Sequence, residues 1–456
     1  MMLVTVQYVI SLHCGYLQSR DLKAVGGASE SQTDVVTPLG VNLFCALLAN
    51  DPKSDNVIMM RTIIFLLYFL VCIRQNHGEC NLSLRIDFGT PAPVYLRNGE
   101  LLSPGADGGV SLRRAERLQV ACPGTKKYVV VANQSTGADS IDIKCVRNST
   151  FQAVGVSWVG NLREVACSQP PWYGAEDVGA CSGGNRLYSV GYRVSGELHA
   201  RYSACFDRGR LHTLYVRELL SPANNYLQNG SRTGFIEGEL FAKHSMNRLY
   251  KLEHQRRRLD ELLGPGMGAK YVTKTQFLSR GHLAARADFP LVAEQRASFH
   301  YVNTAPQWQR GNAGDWAALE EALRRRVHSS GNPVTVYTGT WGVSTLPDAR
   351  GQDTELYLDV DTNNNGVVPV PLYFYKVVHD EANRTAVAFI SINSSYYNSS
   401  RVDELTFCAD VCEESSHYRW LRWRPRDGTH SFCCTYQDFA RKIQNLPKLD
   451  IRGLYY

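Results

Sequence analysis

Hydrophobic residues along the chain follow two different patterns. Between Cys80 and about residue 204 they form short runs of β-type composition, such as 128–131 and 187–192, separated by turn residues. This stretch contains no long segment in which apolar residues have helical spacing. We therefore predict a mostly-β domain over residues 80–204, braced by the five cysteines that it contains.

Beyond residue 205 the hydrophobic spacing becomes helical at two places. The first predicted helix runs from about Ser245 to Leu263 and ends at Gly264. The second runs from about Asp315, a suitable N-cap, to Val327. The apolar faces of the two helices consist of Leu249, Leu252, Leu259 and Leu262 and of Trp316, Leu319, Leu323 and Val327.

Strand-like segments follow the second helix. They cover residues 334–337, 372–378 and 385–392, so helices and strands both contribute to residues 205–456. The predicted fold class is α+β. The linker between the β domain and this second domain is predicted near Arg201 to Asp207.

An apolar run near the N-terminus is typical of a signal peptide. The run 62–73 follows Met60 and Arg61 and precedes the polar stretch 74–79. Its 12 residues suit a signal peptide over residues 60–79 and fall short of the roughly 20 that a membrane-spanning helix needs. We expect residues 1–59 to be an over-extended gene model. The alternative is a genuine extension that makes the run an uncleaved anchor.

Cysteines and glycosylation sequons indicate an oxidising compartment. Residues from Cys80 onward contain ten of the 13 cysteines and seven N-x-S/T sequons. The sequons begin at Asn81, Asn133, Asn148, Asn229, Asn383, Asn393 and Asn398. An even number of cysteines together with sequons is typical of a secreted, disulfide-bonded glycoprotein.

A zinc site is the alternative use of the C-terminal cysteines. Cys408 and Cys412 have ligand-like spacing, and His417 follows them. Thiolates in an oxidising compartment normally pair with each other. We therefore favour disulfides, with the adjacent Cys433 and Cys434 in two separate bridges.

The net charge weakly indicates anionic partners. The formal charge is +6, and arginines cluster at 256–258, 324–326 and 419–426. Such clusters are usually solvated surfaces. They suit phosphate groups when other residues indicate a binding function.

The segment 279–289, with the sequence SRGHLAARADF, contains a candidate catalytic histidine. A single histidine such as His282 is more often structural than catalytic. Later residues change that assessment, because Asn303 begins the sequence NTAPQ, Asn312 follows, and Glu320 lies eight residues further on. Eight residues span a little over two helical turns, so the side chains of Asn312 and Glu320 can face one side and share a hydrated cation.

These motifs resemble the signature of the DNA/RNA non-specific endonuclease family, whose members have the ββα-metal fold. The resemblance rests on RGHLAARADF, NTAPQ and the N-x7-E spacing with Trp316 between, and it is close over residues 280–320. A looser likeness covers 205–456, where it implies a ββα-metal nuclease domain with a mixed sheet and helices. Ser279 stands where many members have aspartate, and Ala285 where many have proline. The variant is most similar to arthropod secreted double-stranded ribonucleases.

The resemblance implies roles for individual residues. His282 matches the general base that activates water, Asn312 the direct protein ligand of Mg²⁺, and Glu320 a carboxylate that holds one of the cation's waters. Asn303 matches a site-supporting asparagine, counted with the substrate-binding residues, and Arg280 belongs to the catalytic motif itself. Mn²⁺ is the alternative cation.

Arginines complete the set that the resemblance implies. In this family an arginine upstream of the histidine motif binds the scissile phosphate, and Arg208 and Arg210 are the two candidates, with Arg208 preferred. Arg422 and Arg424 alternate with tryptophans and are predicted to bind nucleic acid.

The implied protein is a secreted, Mg²⁺-dependent endonuclease. It would hydrolyse double-stranded RNA, DNA or both, with little sequence preference and no stable association with a membrane. The preferred polymer stays open, because contacts to the backbone do not distinguish RNA from DNA. The alternative is a catalytically silent extracellular nucleic-acid-binding protein, which the complete set of His282, Asn312 and Glu320 disfavours.

Overall fold

The computed structural model describes residues 79–241, 244–421, 423 and 429–456. The predicted extension 1–59, the predicted signal peptide up to residue 78, and Arg422 and Arg424 lie outside the described residues. Within the described part, no helix combines the length and apolar composition that crossing a lipid bilayer requires.

Short apolar runs between turns make the first part of the chain a set of small antiparallel sheets. Its strands are β1 Cys80–Ser83, β2 Val94–Arg97, β3 Glu100–Leu101, β4 Gly109–Leu112, β5 Arg117–Ala121, β6 Val129–Val131, β7 Gln134–Ser135, β8 Ser140–Arg147, β9 Thr150–Ala153, β10 Val159–Asn161 and β11 Val165–Cys167. Their sheet orders are β10-β9-β8-β5-β2-β3, β11-β6-β7 and β1-β4. The disulfides Cys80–Cys145 and Cys122–Cys167 join the sheets. The predicted disulfide-braced, mostly-β character is confirmed.

A nine-stranded sheet organises the rest of the chain. The strands from residue 174 onward are β12 Gly174–Ala180, β13 Arg186–Val194, β14 Glu197–Asp207, β15 His212–Leu220, β16 Leu278–His282, β17 Thr304–Trp308, β18 Val334–Trp341, β19 Thr345–Pro347, β20 Asp353–Glu355, β21 Tyr357–Val360, β22 Gly366–Pro369, β23 Tyr373–Asp380, β24 Thr385–Ile392, β25 His430–Cys434 and β26 Gly453–Leu454. The order in the sheet is β12-β13-β14-β15-β18-β23-β24-β25, with β26 also paired to β24. The β24–β26 pairing is parallel and the others are antiparallel.

Both faces of the large sheet are covered, which explains why its central strands are apolar at nearly every position. In β23, Phe374 and Val378 pack on one face, whereas Tyr375 and Val377 pack on the other with Phe439. Successive side chains of a strand point to opposite faces, so a strand buried on both sides shows no polar alternation. The three strand-like segments predicted from the sequence correspond to β18, β23 and β24.

Most helices lie between β15 and β18. The α-helices are α1 Met246–Leu249, α2 Leu252–Leu263, α3 Met267–Tyr271, α4 Val292–Ala297, α5 Gln309–Gly311, α6 Ala317–Ser330, α7 Ser399–Leu405, α8 Val411–Glu414 and α9 Tyr436–Lys442. Single 3₁₀ turns cover Leu162–Glu164, Ser182–Gly184, Pro222–Asn225, Gly238–Phe241, Arg286–Asp288, Tyr301–Asn303 and Ser416–Tyr418, and a wide π-type turn covers Asn312–Trp316.

Both predicted helices are present, with differences at their N-terminal ends. The first is divided into α1 and α2 and ends at Gly264, whose φ of 105° favours glycine. The second is α6, whose predicted apolar face is buried. Asp315 is not its N-cap, because Asp315 is buried inside the wide turn that precedes α6.

The predicted boundary between residues 204 and 205 falls inside β14, as does the linker predicted near Arg201 to Asp207. The disulfide Cys181–Cys205 also crosses that boundary. The described residues belong to one unit. A division into two domains stays a proposal, and strand pairing favours placing it before Gly174, where the large sheet begins.

Five disulfides pair all ten cysteines from Cys80 onward. Besides the two bridges of the β region, the pairs are Cys181–Cys205, Cys408–Cys434 and Cys412–Cys433. The adjacent Cys433 and Cys434 therefore have different partners, as predicted. The zinc alternative is wrong for Cys408 and Cys412, because both sulfurs are in disulfides and neither is a thiolate.

The buried His300 makes the stability of this fold depend on pH. Its Nδ1 accepts a hydrogen bond from the backbone N–H of Val302 (3.1 Å), which caps the turn Tyr301–Asn303. Burial lowers the pKa of His300 to about 4. Protonation removes the accepting lone pair and places a charge in the interior, so it opposes folding.

We expect His300→Asn to weaken the pH dependence of stability, because asparagine can accept the same capping bond and does not titrate. The folded pKa lies below the unfolded value of about 6.5. The stabilising contribution of neutral His300 is therefore complete above that value and is lost as the pH falls toward 4, by about 2 kcal/mol at about pH 5. Urea unfolding at about pH 7.5 and about pH 5 measures the loss in each protein. Equal losses in wild type and variant would contradict this prediction.

Candidate active site

Strands β16 and β17 place the histidine motif beside the NTAPQ segment. They pair antiparallel, with His282 opposite Thr304 and Ser279 opposite Gln307. The chain then passes directly from β17 into α5, the wide turn and α6. Two paired strands followed by a helical segment form the ββα arrangement, and they bring the histidine strand next to the elements that carry the predicted metal-site residues.

A buried asparagine fixes the segment that follows His282. Asn303 is fully buried, and its Oδ1 accepts from the backbone N–H of Ala284 (2.8 Å). Its Nδ2 donates to the carbonyls of Ala284 and Ser298, both at 2.9 Å. Because all of these bonds are to the protein's own backbone, Asn303 supports the site. Its burial does not suit direct contact with a substrate.

His282 lies between two phenylalanine rings. Its ring centroid is 5.0 Å from those of Phe235 and Phe299. Among the described residues, its buried Nε2 has no hydrogen-bond partner. Burial, together with the charges of Arg232 and Arg286, lowers the pKa of His282 to about 3. The ordinary pKa of histidine is about 6.5, and at either value the imidazole is largely neutral at physiological pH.

The two arginines near His282 were missed by the sequence analysis. Arg232 is exposed, and its charge lowers the pKa of both His282 and Arg286. Arg286 donates to the carbonyl of Gly230 (2.6 Å) and to the side chain of Gln295 (2.8 Å). Two cations beside a neutral imidazole form a receptor for an anion such as phosphate.

The hydrogen bonds of the wide turn orient an asparagine amide. Asn312 Nδ2 donates to Ser279 Oγ (2.9 Å), and Ser279 Oγ donates to the carbonyl of Gln307 (2.9 Å). These bonds hold the nitrogen of the amide toward β16. They do not involve its Oδ1, which is the atom that a hard cation prefers. Ser279 thus provides a hydrogen-bond acceptor at the position where the motif often has aspartate.

The wide turn also changes the spacing between Asn312 and Glu320. Eight residues exceed two turns of a straight α-helix, whereas a turn closed by an i→i+5 hydrogen bond takes up one additional residue. With such a turn included, eight residues come closer to two complete turns. Gly314 has the non-helical dihedrals that accompany it, with φ −101° and ψ −114°.

Glu320 lies in a group of buried charges. Burial raises the pKa of Glu320 to about 7, Lys376 and Arg324 act to lower it, and Asp288 acts to raise it. Arg324 also forms a 2.7 Å ion pair with Asp288. A carboxyl group with such a pKa ionises readily when another cation approaches, so Glu320 suits a position beside a hydrated metal ion.

The sequence that forms these elements matches a known family. The model of the DNA/RNA non-specific endonucleases matches residues 183–427, more than half of the chain. This chain belongs to the DNA/RNA non-specific endonuclease family. The predicted family, the α+β fold with its ββα-metal nuclease domain, and the assignment as a nuclease hydrolase are confirmed.

Similar proteins of this family occur in insect saliva. A salivary endonuclease of Lutzomyia longipalpis is 30% identical over 330 residues, which cover 71% of this chain and 72% of that protein. Salivary protein Tsal1 of Glossina morsitans morsitans is 25% identical over 347 residues, covering 74% and 82%. A salivary endonuclease of Culex quinquefasciatus is 26% identical over 293 residues, covering 62% and 72%.

In this endonuclease, Arg280 of the histidine motif is surrounded by aromatic rings. Its guanidinium carbon lies 5.0 Å from the ring of Tyr250 and 5.7 Å from the rings of Phe235 and Tyr301. Its Nε donates to the hydroxyl of Tyr301 (2.7 Å). Because Phe235 also packs on His282, Arg280 helps to position the aromatic rings that cover this candidate catalytic histidine.

Arg208 and Arg210 lie in the turn between β14 and β15. Arg208 donates to the hydroxyl of Tyr188, and Arg210 donates to that of Tyr357 (3.2 Å). Neither is among the cations that lower the pKa of the histidine, whereas Arg232 is. We therefore propose Arg232 as the phosphate-binding arginine in preference to both.

We expect Arg232→Ala to lower kcat/KM for nucleic acid by about 100-fold, because it removes a cation whose charge acts at His282, where the reacting phosphate is proposed to bind. Arg232→Lys should retain part of the activity. Arg210→Ala is the matched control and should change kcat/KM by less than about 3-fold, as expected for an exposed arginine away from the chemistry. Initial rates at saturating Mg²⁺ measure all three variants. The opposite ranking of Arg232→Ala and Arg210→Ala would restore Arg210, one of the two arginines predicted from the sequence.

Proposed function

We propose that this protein is an extracellular, metal-dependent endonuclease that hydrolyses double-stranded RNA or DNA with little sequence preference, with His282 activating water. The observation that carries the proposal is the neutral imidazole of His282 beside Arg232 and Arg286. Its Nε2 has no hydrogen-bond partner among the described residues. Membership of a non-specific endonuclease family supports the reaction class.

Hydrolysis of a phosphodiester needs a base for the attacking water and positive charge for the phosphate. Nε2 of His282 accepts the proton of the water, and Arg232 and Arg286 bind phosphate oxygens. Burial and, to a smaller extent, the same two cations keep the imidazole unprotonated before substrate binds. The bound phosphate offsets their charge, which raises the pKa of His282 and strengthens it as a base.

The polar groups around the wide turn fit a hard divalent cation. Asn312 offers an amide oxygen, because Ser279 holds the other end of that amide, and Glu320 offers a carboxylate whose ionisation a cation favours. We propose Mg²⁺, which prefers oxygen ligands and retains most of its waters, with Mn²⁺ as the alternative. Bound there, the ion supplies positive charge for the phosphate and the leaving oxygen.

Little sequence preference follows from the kind of contact that the site offers. Arginines and a metal ion bind phosphate groups, which are the same at every position of a polynucleotide. Two similar proteins carry the name salivary endonuclease, which supports nucleic acid in a secreted fluid as the substrate. The choice between RNA and DNA is an outcome of the following experiment.

We expect the purified protein to cut long double-stranded RNA, duplex DNA or both when Mg²⁺ is present. His282→Ala should lower kcat by about 1000-fold, because the water then lacks its base. EDTA should abolish cleavage, and rates on each polymer rank the substrates. His417→Ala is the control, since His417 is exposed and packs on Tyr456 away from the histidine motif in the chain.

The outcomes separate the parts of this proposal. A folded, oxidised wild type that binds nucleic acid in Mg²⁺ without cutting it would overturn the nuclease and favour the silent binding protein. Cleavage that persists in EDTA would refute the metal dependence but not the nuclease activity. Full activity of His282→Ala would refute His282 as the base but not the nuclease activity.

An extracellular location is supported by the five disulfides and the salivary relatives. Six of the seven sequon asparagines are exposed. Asn393 is buried, its Oδ1 accepts from the N–H of Trp308 (3.0 Å), and its Nδ2 donates to the carbonyls of Pro306 (3.0 Å) and Pro371 (2.9 Å). A glycan on Nδ2 would remove these bonds and would have no space, so Asn393 serves the fold.

We expect glycans at exposed sequons and none at Asn393 in the natural secreted protein. Enzymatic release of N-glycans in heavy-oxygen water, followed by peptide mass spectrometry, marks every asparagine that carried one. The buried amide and its three backbone partners are the reason for the exception. An occupied Asn393 in folded, active protein would contradict this account.

A further inference from the structure

Two loops of the N-terminal β region present an aromatic and basic surface. They are residues 123–128, which follow β5, and 168–173, which follow β11. Trp172 is 56% exposed, and Tyr128 and Lys126 are exposed as well. We call these three side chains the Trp172 platform. An exposed tryptophan of this kind marks a binding surface more often than a smaller apolar residue does.

The platform is held by cross-links between its two loops. The disulfide Cys122–Cys167 joins the residues from which the loops start. The backbone N–H of Trp172 donates to the carbonyl of Pro123 (2.7 Å), and Lys127 Nζ donates to the carbonyl of Pro170. A side chain presented on a fixed backbone loses little conformational entropy when it binds a partner.

Positive charge extends from the platform toward α4. Burial and the charge of Arg296 lower the pKa of Lys127, so these two cations lie close enough to repel each other. Among the described residues, none accepts a hydrogen bond from the buried Nε of Arg296. A bound polyanion offsets repulsion between neighbouring cations, which makes this surface suitable for phosphate groups.

The base of the platform contacts the residues that pack on the catalytic histidine. Tyr173 lies beside Trp172 with nearly parallel rings, 6.5 Å apart. The hydroxyl of Tyr173 donates to the carbonyl of Phe299 (3.1 Å), and the ring of Phe299 lies 5.0 Å from that of His282. Tyr173 and Phe299 thus connect the platform to His282.

We propose that the Trp172 platform binds the polynucleotide substrate beside the scissile bond. A sugar of the backbone packs on the indole of Trp172, and phosphates bind Lys126 and Arg296. The proposal rests on the proposed nuclease function. Sugars and phosphates are the same at every position of a polynucleotide, so these contacts add affinity without adding sequence preference, in keeping with a non-specific enzyme. The N-terminal β region is then part of the substrate-binding surface.

Binding measured without cleavage isolates this surface. In EDTA, the double variant Trp172→Ala with Lys126→Ala should bind a labelled duplex of about 20 base pairs about 10-fold more weakly than wild type. The slope of log K against log salt should fall by about one unit, because one phosphate contact is lost. Fluorescence anisotropy measures both quantities. Arg85→Ala with Ile86→Ala is the matched control, because it removes an exposed cation and an exposed apolar side chain from the same β region.

Trp172→Phe keeps an aromatic face and should retain most of the affinity, which separates stacking from a general disturbance of the loop. In Mg²⁺, the double variant should raise KM for long polymers and leave kcat within about 2-fold, since the lost contacts are made before and during the reaction alike. A substrate too short to reach the platform should be cut as by wild type.

An unchanged affinity and salt slope of the double variant would overturn the platform, and His282-dependent cleavage would remain. If wild type fails to cut but its binding depends on Trp172 and Lys126, the platform is supported and the proposed enzymatic function fails.

Discussion

The amide of Asn303 is the interaction on which the arrangement of the site depends. Residues 284–298 follow β16. They include Arg286 and α4, and none of them belongs to the large sheet. Asn303 bonds to Ala284 near one end of this segment and to Ser298 at the other. Only an amide supplies both the acceptor and the two donors that these backbone groups require, and an aspartate would turn lone pairs toward two carbonyls. Asn303 thus fixes the backbone that carries Arg286, and Gly230 and Gln295 hold its guanidinium.

Two tyrosine hydroxyls of the large sheet also hold residues 284–298. Tyr192 on β13 donates to the carbonyl of Ala293 (2.5 Å), and Tyr202 on β14 donates to that of Ala297 (2.9 Å). Burial raises the pKa of both tyrosines, so their hydroxyls remain donors. The large sheet thereby fixes α4 at two points one helical turn apart. Residues 284–298 are therefore held near both ends by Asn303 and along α4 by the sheet.

The candidate site residues that the sequence indicates are those that lie in local motifs. His282 is recognised by its neighbours in the motif, and Asn312 and Glu320 by their spacing. Both signals can be read from the sequence without knowledge of the fold. Arg232 has no such signal, because it comes fifty residues before the histidine and meets it only through the tertiary structure. The strands were predicted for the same local reason, since apolar runs identify β18, β23 and β24. The boundary near residue 204 could not be placed, because membership of a sheet depends on long-range hydrogen bonds that a β pattern does not encode.

Cys433 and Cys434 are neighbours in β25, so their side chains point to opposite faces of the sheet. Cys433 lies in the core on one face and Cys434 in the core on the other, each beside its own partner. An exchange of partners would shift the strand by one residue and turn every side chain of β25 to the wrong face. The connectivity of these sulfurs therefore also encodes the alignment of the strand. A host cell has to pair these four thiols correctly as well as oxidise them. Two batches of identical intact mass can therefore differ in the connectivity of these two disulfides.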